Sequence, residues 1–137
     1  MRYMMLIYTR EGDRDSMSPE EEEAIRNGHT AVMAESRKRG MLVAVNPLAR
    51  TSSATTVRVD NGKVLATDGP FAETKEQLAG YYILECKDLD EAIAWAAKIP
   101  SGCGGGRGCI EVRPIQEIPG VPESLLKSSA DLEKAVS

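Results

Sequence analysis

Short apolar blocks alternate with polar blocks along the chain, and this pattern predicts four core strands and two helices. The apolar, β-prone blocks lie at residues 4–8, 41–45, 80–86 and 109–113. Two longer segments with apolar residues at helical spacing lie at 18–39 and 88–98. The polar segment 9–17 contains a glycine and is predicted to be a loop.

The first helix carries both a start signal and a stop signal. Ser18 suits the cap, Pro19 suits the first turn and Glu21 completes a capping box, whereas Gly40 ends the helix. Glycine in a helix interior costs about 1 kcal/mol relative to alanine. The interior Gly28 therefore leaves two possibilities, a continuous helix or a helix that is broken at this position. The stripe that should face the sheet consists of Ile25, His29, Val32 and Ser36.

A β-hairpin is predicted between the second and third core strands. Residues 54–59 and 63–67 flank Asp60-Asn61-Gly62, and an Asn-Gly pair between two strand-like runs is a strong hairpin signal. The second helix begins at another capping box, the segment 88–91. Its predicted apolar face consists of Leu89, Ala92, Ile93, Ala96 and Ala97.

The order of these elements predicts an α+β fold, namely a ferredoxin-like antiparallel sheet with its helices on one face. Strands 3–8 and 80–86 are apolar on both faces, so the second face of the sheet also needs a cover. A homodimer of the dimeric α/β-barrel type, in which two sheets pair face to face, is one solution. Residues 1–118 form the predicted domain, and 119–137 form a tail in which 124–136 is a candidate amphipathic helix.

Length, charge and hydropathy exclude several classes of protein. A chain of 137 residues is the size of one domain. The net charge of -4 and a pI near 5.1 argue against direct nucleic-acid binding. No apolar run reaches the roughly 18 residues of a membrane helix, and the hydrophobic N-terminus lacks a cleavage site, which predicts a cytoplasmic protein without membrane association.

The number and spacing of the three cysteines argue against a disulfide framework and a metal site, and predict that Cys103 and Cys109 are free thiols. An odd number does not fit a secreted disulfide scaffold. Cys103 and Cys109 share a glycine-rich loop, but their CxxxxxC spacing does not match that of a zinc site. The loop also lacks the Lys-Ser/Thr pair and the following helix of a phosphate-binding loop. We therefore predict no metal and no cofactor.

Residues 68–76, Asp-Gly-Pro-Phe-Ala-Glu-Thr-Lys-Glu, combine a constrained turn with a dense set of ionisable groups. Gly69 and Pro70 restrict the backbone, so the turn should hold Asp68 in one place. The segment resembles the DGPFAETKE-type signature of the DGPF-domain proteins within the YCII-related family. The strand ending Glu111-Val112-Arg113-Pro114 also resembles the common ending of that family.

The resemblance implies that His29 and Asp68 form a catalytic-type pair in a pocket. His29 is the only histidine of the chain. A carboxylate bonded to one imidazole nitrogen would leave the other nitrogen as a general base or acid. The alternative, which position alone favours, is a packed histidine with a satisfied hydrogen bond.

Other residues are candidates for binding a small-molecule ligand. Lys75 would bind an anionic group that Glu73 orients. If the strand face that carries Arg113 is turned to the partner sheet of a dimer, Arg113 would clamp a carboxylate. The alternative for Glu73 and Lys75 is that they form the solvated start of the next element. The alternative for Glu111 and Arg113 is an exposed ion pair that contributes little to stability. The full set of candidate binding residues is Tyr8, Gly69, Pro70, Phe71, Glu73, Lys75, Glu111 and Arg113.

These features favour a small metal-independent enzyme that transfers protons on a small organic acid or ring compound. Because relatives in the wider YCII-related group include a dehydrochlorinase, the resemblance makes lyase-type elimination the leading reaction class. It also implies a non-enzymatic alternative, a ligand-sensing or regulatory partner of an extracytoplasmic-function sigma factor. A third alternative is a dimeric scaffold whose pocket is vestigial.

Overall fold

The computed structural model describes residues 1–101 and 108–126 of the chain. Two short 3₁₀ helices lie at Thr51–Ser53 and Glu123–Leu125. The strands and α-helices of the described residues are, in chain order, β1 Arg2–Thr9, α1 Glu11–Asp15, α2 Pro19–Lys38, β2 Leu42–Pro47, β3 Thr55–Asp60, β4 Lys63–Asp68, β5 Gln77–Glu85, α3 Leu89–Ala96 and β6 Gly108–Pro114.

Four strands form an antiparallel sheet in the order β2-β5-β1-β6. Along β1, buried and half-buried residues alternate from Tyr3 to Thr9, because successive side chains of a strand point to opposite faces. Both α2 and α3 contribute to the core on the buried face, so the predicted α+β fold is confirmed. The core residues are Tyr3, Met5, Ile7, Val32, Tyr82, Leu84, Cys86, Ala92, Trp95, Ala96 and Ile99.

Helix α2 begins as predicted and runs without a break. The Ser18 hydroxyl accepts a hydrogen bond from the backbone N–H of Glu21 at 3.2 Å and caps the helix. Gly28 lies inside the helix, and the ring of Pro100 packs closely against it. A Cβ atom at Gly28 would approach the Cγ of Pro100 to 2.7 Å, so a small residue is needed at this contact.

The prediction that residues 9–17 form a loop is wrong, since helix α1 lies inside this segment. The helix has only five residues and no side-chain cap, so it carries no periodic signal. Tertiary contacts hold it in place. The Glu11 carboxylate accepts hydrogen bonds from the backbone N–H and the hydroxyl of Thr51, both at 2.7 Å. The backbone N–H of Glu11 donates to Gln77 at 3.0 Å.

Helix α3 buries a different stripe from the one predicted. Its predicted start is confirmed, since the Asp88 carboxylate accepts from the backbone N–H of Glu91 at 2.9 Å. The Glu91 carboxylate accepts from the backbone N–H of Lys87 at 3.1 Å, one residue before the cap. However, Leu89 and Ile93 are 49% and 50% exposed. Trp95 is 4% exposed and belongs to the core, and the burial of its large ring sets the rotation of the helix. The buried stripe is Ala92, Trp95 and Ala96.

Strands β3 and β4 form a separate two-stranded sheet, which confirms the predicted hairpin. Asn61 and Gly62 adopt φ angles of 48° and 77°, the left-handed conformations that a two-residue hairpin turn requires. One face of this hairpin presents apolar side chains to solvent: Val57, Val59 and Val64 are 59%, 70% and 69% exposed.

The tail is described only as far as residue 126. The candidate helix over 124–136 therefore lies mostly outside the described residues, and so does Cys103. Within residues 1–101 and 108–126, no helix has both the length and the apolar character needed to cross a bilayer.

Candidate functional site

A cavity of about 600 Å³ lies between helix α2 and the ends of strands β2 and β5. Helix α1 and the segment at residues 46–50 form its rim. Such a volume suits a small organic molecule. Apolar side chains form much of the wall, among them Ile7, Ile25, Met33, Val45 and Leu48.

His29 and Tyr82 meet in the wall of this cavity. The Nδ1 atom of His29 lies 2.7 Å from the phenolic oxygen of Tyr82, a hydrogen-bond distance. The two rings are nearly parallel, with an interplanar angle of 12°. His29 reaches the cavity because it lies one helical turn after Ile25 on α2, and Tyr82 does so because it lies on the buried face of β5.

Burial sets the ionisation of both side chains. Desolvation lowers the pKa of His29 below its ordinary value, because a half-buried imidazolium loses hydration. Desolvation also raises the pKa of Tyr82 to about 12. At neutral pH the pair therefore consists of a neutral imidazole and an intact phenol, and each of them can donate or accept a proton.

Asp68 lies elsewhere, at the end of β4. Its side chain is exposed and does not line the cavity. The turn after it is constrained as expected: Gly69 has φ 97°, its N–H donates to the carbonyl of Ala54 at 2.7 Å, and its carbonyl accepts from the Thr56 hydroxyl at 2.8 Å. The turn is thus tied to the base of the hairpin, and His29 has Tyr82 as its hydrogen-bond partner.

The other candidate binding residues also lie away from the cavity. Pro70, Phe71, Glu73 and Lys75 are exposed in the segment between β4 and β5, and Phe71 is 79% exposed. Tyr8, Glu111 and Arg113 lie on the sheet face opposite to the helices. Their positions follow from the register, in which Leu6 pairs with Glu111 and Met4 with Arg113, while Ile7 and Thr9 point toward the cavity.

Several cavity residues were missed by the sequence reasoning. Tyr82 lies 53 residues from His29, and its strand reads as ordinary core sequence. Arg14 belongs to the segment that was predicted to be a loop. Arg26 lies three residues before His29 on α2, and residues at this spacing are neighbours on a helix surface. This spacing was the one sequence signal that could have placed Arg26 near the site. Thr9 is 5% exposed and lines the cavity at the end of β1.

Cys109 is a free thiol on the opposite sheet face. Its Sγ atom lies 3.6 Å from a carboxylate oxygen of Glu76. Burial, together with the negative charge of Glu76, raises the pKa of this thiol, so it is protonated at neutral pH and is a poor nucleophile. In the part of the chain that the structure describes, no cluster of three or more His, Cys, Asp or Glu side chains has metal-binding geometry.

Comparisons with known proteins give two matches to this chain. A family model described as the YCII-related domain matches residues 1–119. A protein of Rhizobium meliloti (strain 1021), named as uncharacterized, is 39% identical over 115 residues, which cover 84% of this chain and 92% of that relative. The family match spans every residue that lines the cavity.

Proposed function

The chain belongs to the YCII-related domain family, and from this premise we propose that it is a small enzyme that transfers protons on a small organic molecule at His29. The observation that carries the proposal is the pairing of the single histidine with a buried tyrosine in the wall of a cavity of about 600 Å³. An imidazole that is neutral at physiological pH and faces a ligand cavity is suited to act as a general base.

We propose a role for each nitrogen of His29 on the basis of this hydrogen bond. When Nδ1–H donates to the oxygen of Tyr82, the lone pair of Nε2 is free to accept a proton from a substrate. The hydroxyl hydrogen of Tyr82 is then available to a second polar atom of the ligand. We therefore propose Tyr82 as the group that orients His29. The pairing of His29 with Asp68 that the resemblance implies stays a prediction, which the variant Asp68→Asn tests.

A lyase-type elimination fits this arrangement. Nε2 of His29 takes a proton from carbon, the electrons of that C–H bond form the new double bond, and the leaving group departs with its own bonding pair. The Tyr82 hydroxyl donates a hydrogen bond to the oxygen or halogen that gains negative charge. The resulting imidazolium then returns its proton to solvent.

The experiment measures proton transfer without requiring the natural substrate. A panel of small keto acids and lactones is incubated with the protein in deuterated water, and deuterium incorporation at carbon is followed by NMR. We expect exchange with the wild type and a loss of about 100-fold or more in His29→Asn, the usual scale for one acid–base group. Arg58→Gln on the exposed hairpin serves as the control. Equal exchange rates in His29→Asn and the wild type would refute the proposal.

A ligand-sensing module that acts with an extracytoplasmic-function sigma factor is the second candidate. It is favoured by one observation: among the described residues, no carboxylate hydrogen-bonds to His29, so the imidazole lacks the acidic partner that many histidine bases have. This candidate predicts that panel compounds bind in the cavity without deuterium exchange. It also predicts that the protein is recovered with a sigma factor from cells.

We also propose that the chain is a ferredoxin-like homodimer that pairs its sheets. The strand order β2-β5-β1-β6 supports the ferredoxin-like topology. The sheet face opposite to the helices supports the dimer, since it carries the half-buried apolar side chains of Met4, Leu6 and Ile83. Light scattering at micromolar concentration should give twice the monomer mass, and Leu6→Lys should give the monomer mass. A monomeric wild type would refute the dimer.

A further inference from the structure

We propose that the cavity recognises small carboxylic acids with an apolar body. Arg14 and Arg26 would bind the carboxylate at the rim, and the Thr9 hydroxyl would bind a polar atom deeper in the cavity. That such an acid is the substrate rests on the proton-transfer function proposed above. The recognition of the acid rests on the cavity alone.

Charge at the rim favours an anion. The lining residues include three arginines, Arg14, Arg26 and Arg50, and one carboxylate, Glu22. The guanidinium of Arg50 is paired with Asp15. Arg14 also attracts the carboxylates of Glu11 and Asp15 on its own helix, but each of these carboxylates accepts its hydrogen bonds from another residue, Thr51 or Arg50. Arginine is the side chain best matched to a carboxylate, because its planar group presents two parallel N–H donors.

Arg14 and Arg26 are available to a ligand. Among the described residues, neither guanidinium forms an ion pair within 4.0 Å or a side-chain hydrogen bond. Arg14 is half-buried at the rim on α1, and Arg26 is exposed on α2 one turn before His29 and Thr30. An acid held between them would lie beside the imidazole of His29.

Contacts at both ends hold helix α1, which carries Arg14, at the rim of the cavity. Glu11 binds the backbone and the hydroxyl of Thr51, and Asp15 pairs with Arg50. These contacts connect both ends of the helix to Arg50 and Thr51, where the segment that forms the rest of the rim ends. Arg14 therefore does not depend on a mobile loop for its position, which reduces the entropy lost on binding.

Thr9 supplies an independent observation that points to a ligand. Thr9 is 5% exposed and lines the cavity. Its Oγ1 atom has no hydrogen-bond partner among the described residues. A buried hydroxyl without a partner is costly. A polar atom of a bound molecule would remove this cost, so the hydroxyl is a recognition group for the ligand.

The test compares benzoate with benzamide, since the two have nearly the same shape and differ in charge. Their affinities are measured by isothermal titration calorimetry at low salt and neutral pH. We expect wild-type protein to bind benzoate about 10-fold or more tightly than benzamide, as charge-assisted hydrogen bonds imply. Arg14→Gln and Arg26→Gln should each reduce that preference, and Arg58→Gln on the hairpin should retain it.

Thr9→Val tests the deeper contact with a substitution of the same shape. We expect it to raise the melting temperature, because it removes an unsatisfied buried hydroxyl, and to weaken the binding of 4-hydroxybenzoate but not of benzoate. The matched variant Thr56→Val removes a hydroxyl that is already bonded to Gly69 and should lower the melting temperature. Unchanged 4-hydroxybenzoate affinity in Thr9→Val would overturn the role of Thr9.

The outcomes separate this inference from the proposed enzyme function. If His29→Asn retains the benzoate preference but no compound undergoes exchange, acid recognition stands and the proton-transfer function fails. If benzoate and benzamide bind equally, or neither binds at millimolar concentration, acid recognition is overturned. A preference that persists in the folded double variant Arg14→Gln/Arg26→Gln would also overturn it, because the carboxylate would then be bound elsewhere.

Discussion

The imidazole Nδ1 of His29 and the phenolic oxygen of Tyr82 lie 2.7 Å apart, and this hydrogen bond connects helix α2 to strand β5 at the wall of the cavity. The contact both satisfies two buried polar groups and fixes the orientation of the only histidine. A packed histidine and a functional histidine would share this hydrogen bond. The two kinds of histidine differ in the surroundings of the second ring nitrogen, Nε2, which contacts a ligand only in a functional histidine. His29 lines the cavity, which favours the functional role.

Protein stability should depend on pH through His29. Because burial lowers the pKa of His29 in the folded state, the unfolded chain binds more protons as the pH falls below about 6.5. The resulting contribution to stability is complete above about pH 6.5 and is lost as the pH falls through the folded-state pKa. Thermal melts at a series of pH values between about 7.5 and 5 should show this loss in the wild type.

His29→Asn is the control for that experiment, because it keeps a side chain of similar size and removes the titration. Its melting temperature should stay nearly constant over the same pH range. Three carboxylates also have a lowered pKa, but they titrate at lower pH than His29 and are present in both proteins, so they do not affect the comparison of melting temperatures: Glu11, Asp15 and Glu85. A wild-type melting curve parallel to that of His29→Asn would contradict the lowered pKa of His29.

Gly28→Ala should destabilise the protein even though alanine is the better helix former. The new Cβ would lie 2.7 Å from the Cγ of Pro100, and a proline ring in a packed wall cannot rotate away. We expect a net loss of about 1–2 kcal/mol in the free energy of unfolding, measured by urea denaturation. Gly12→Ala in α1 is the matched control, since a Cβ there meets nothing within 4 Å. A Gly28→Ala variant as stable as the wild type would show that the contact is loose.

Asp68→Asn tests the pairing that the family resemblance implies. Because Asp68 is exposed at the end of β4 and Tyr82 occupies Nδ1 of His29, we expect the pKa of His29 to be the same in Asp68→Asn and the wild type. Tyr82→Phe should change that pKa. A lower His29 pKa in Asp68→Asn would mean that this carboxylate reaches the imidazole, from the same subunit or from its partner.

The sheet, the long helix and the hairpin could be predicted because each has a local signal. Strand β1 is a short apolar, β-prone run, α2 carries a capping box, and Asn61-Gly62 specifies the hairpin turn. The five-residue helix α1 has no such signal, because contacts with Thr51 and Gln77 stabilise it. The rotation of α3 depends on how Trp95 packs, which neighbouring elements decide.

The candidate site could be predicted only in part. His29 was recognisable because it is the only histidine and follows the apolar stripe of its helix. Tyr82 was not, since contacts between residues distant in sequence leave no local pattern. The turn at Gly69 was predicted to be constrained, and Gly69 has a φ of 97° with hydrogen bonds at both its N–H and its carbonyl. The distance of this turn from the cavity depends on where the hairpin that precedes it lies in the fold. The sequence of the hairpin does not predict that position.

The most direct test of the proposed site is an NMR pH titration of the imidazole, with and without benzoate. A single histidine makes the ring signals unambiguous. We predict a pKa below about 6.5 for the free protein and a higher pKa with bound benzoate, because a nearby carboxylate stabilises the imidazolium. An ordinary pKa that benzoate leaves unchanged would contradict the claim that His29 faces the ligand in this cavity.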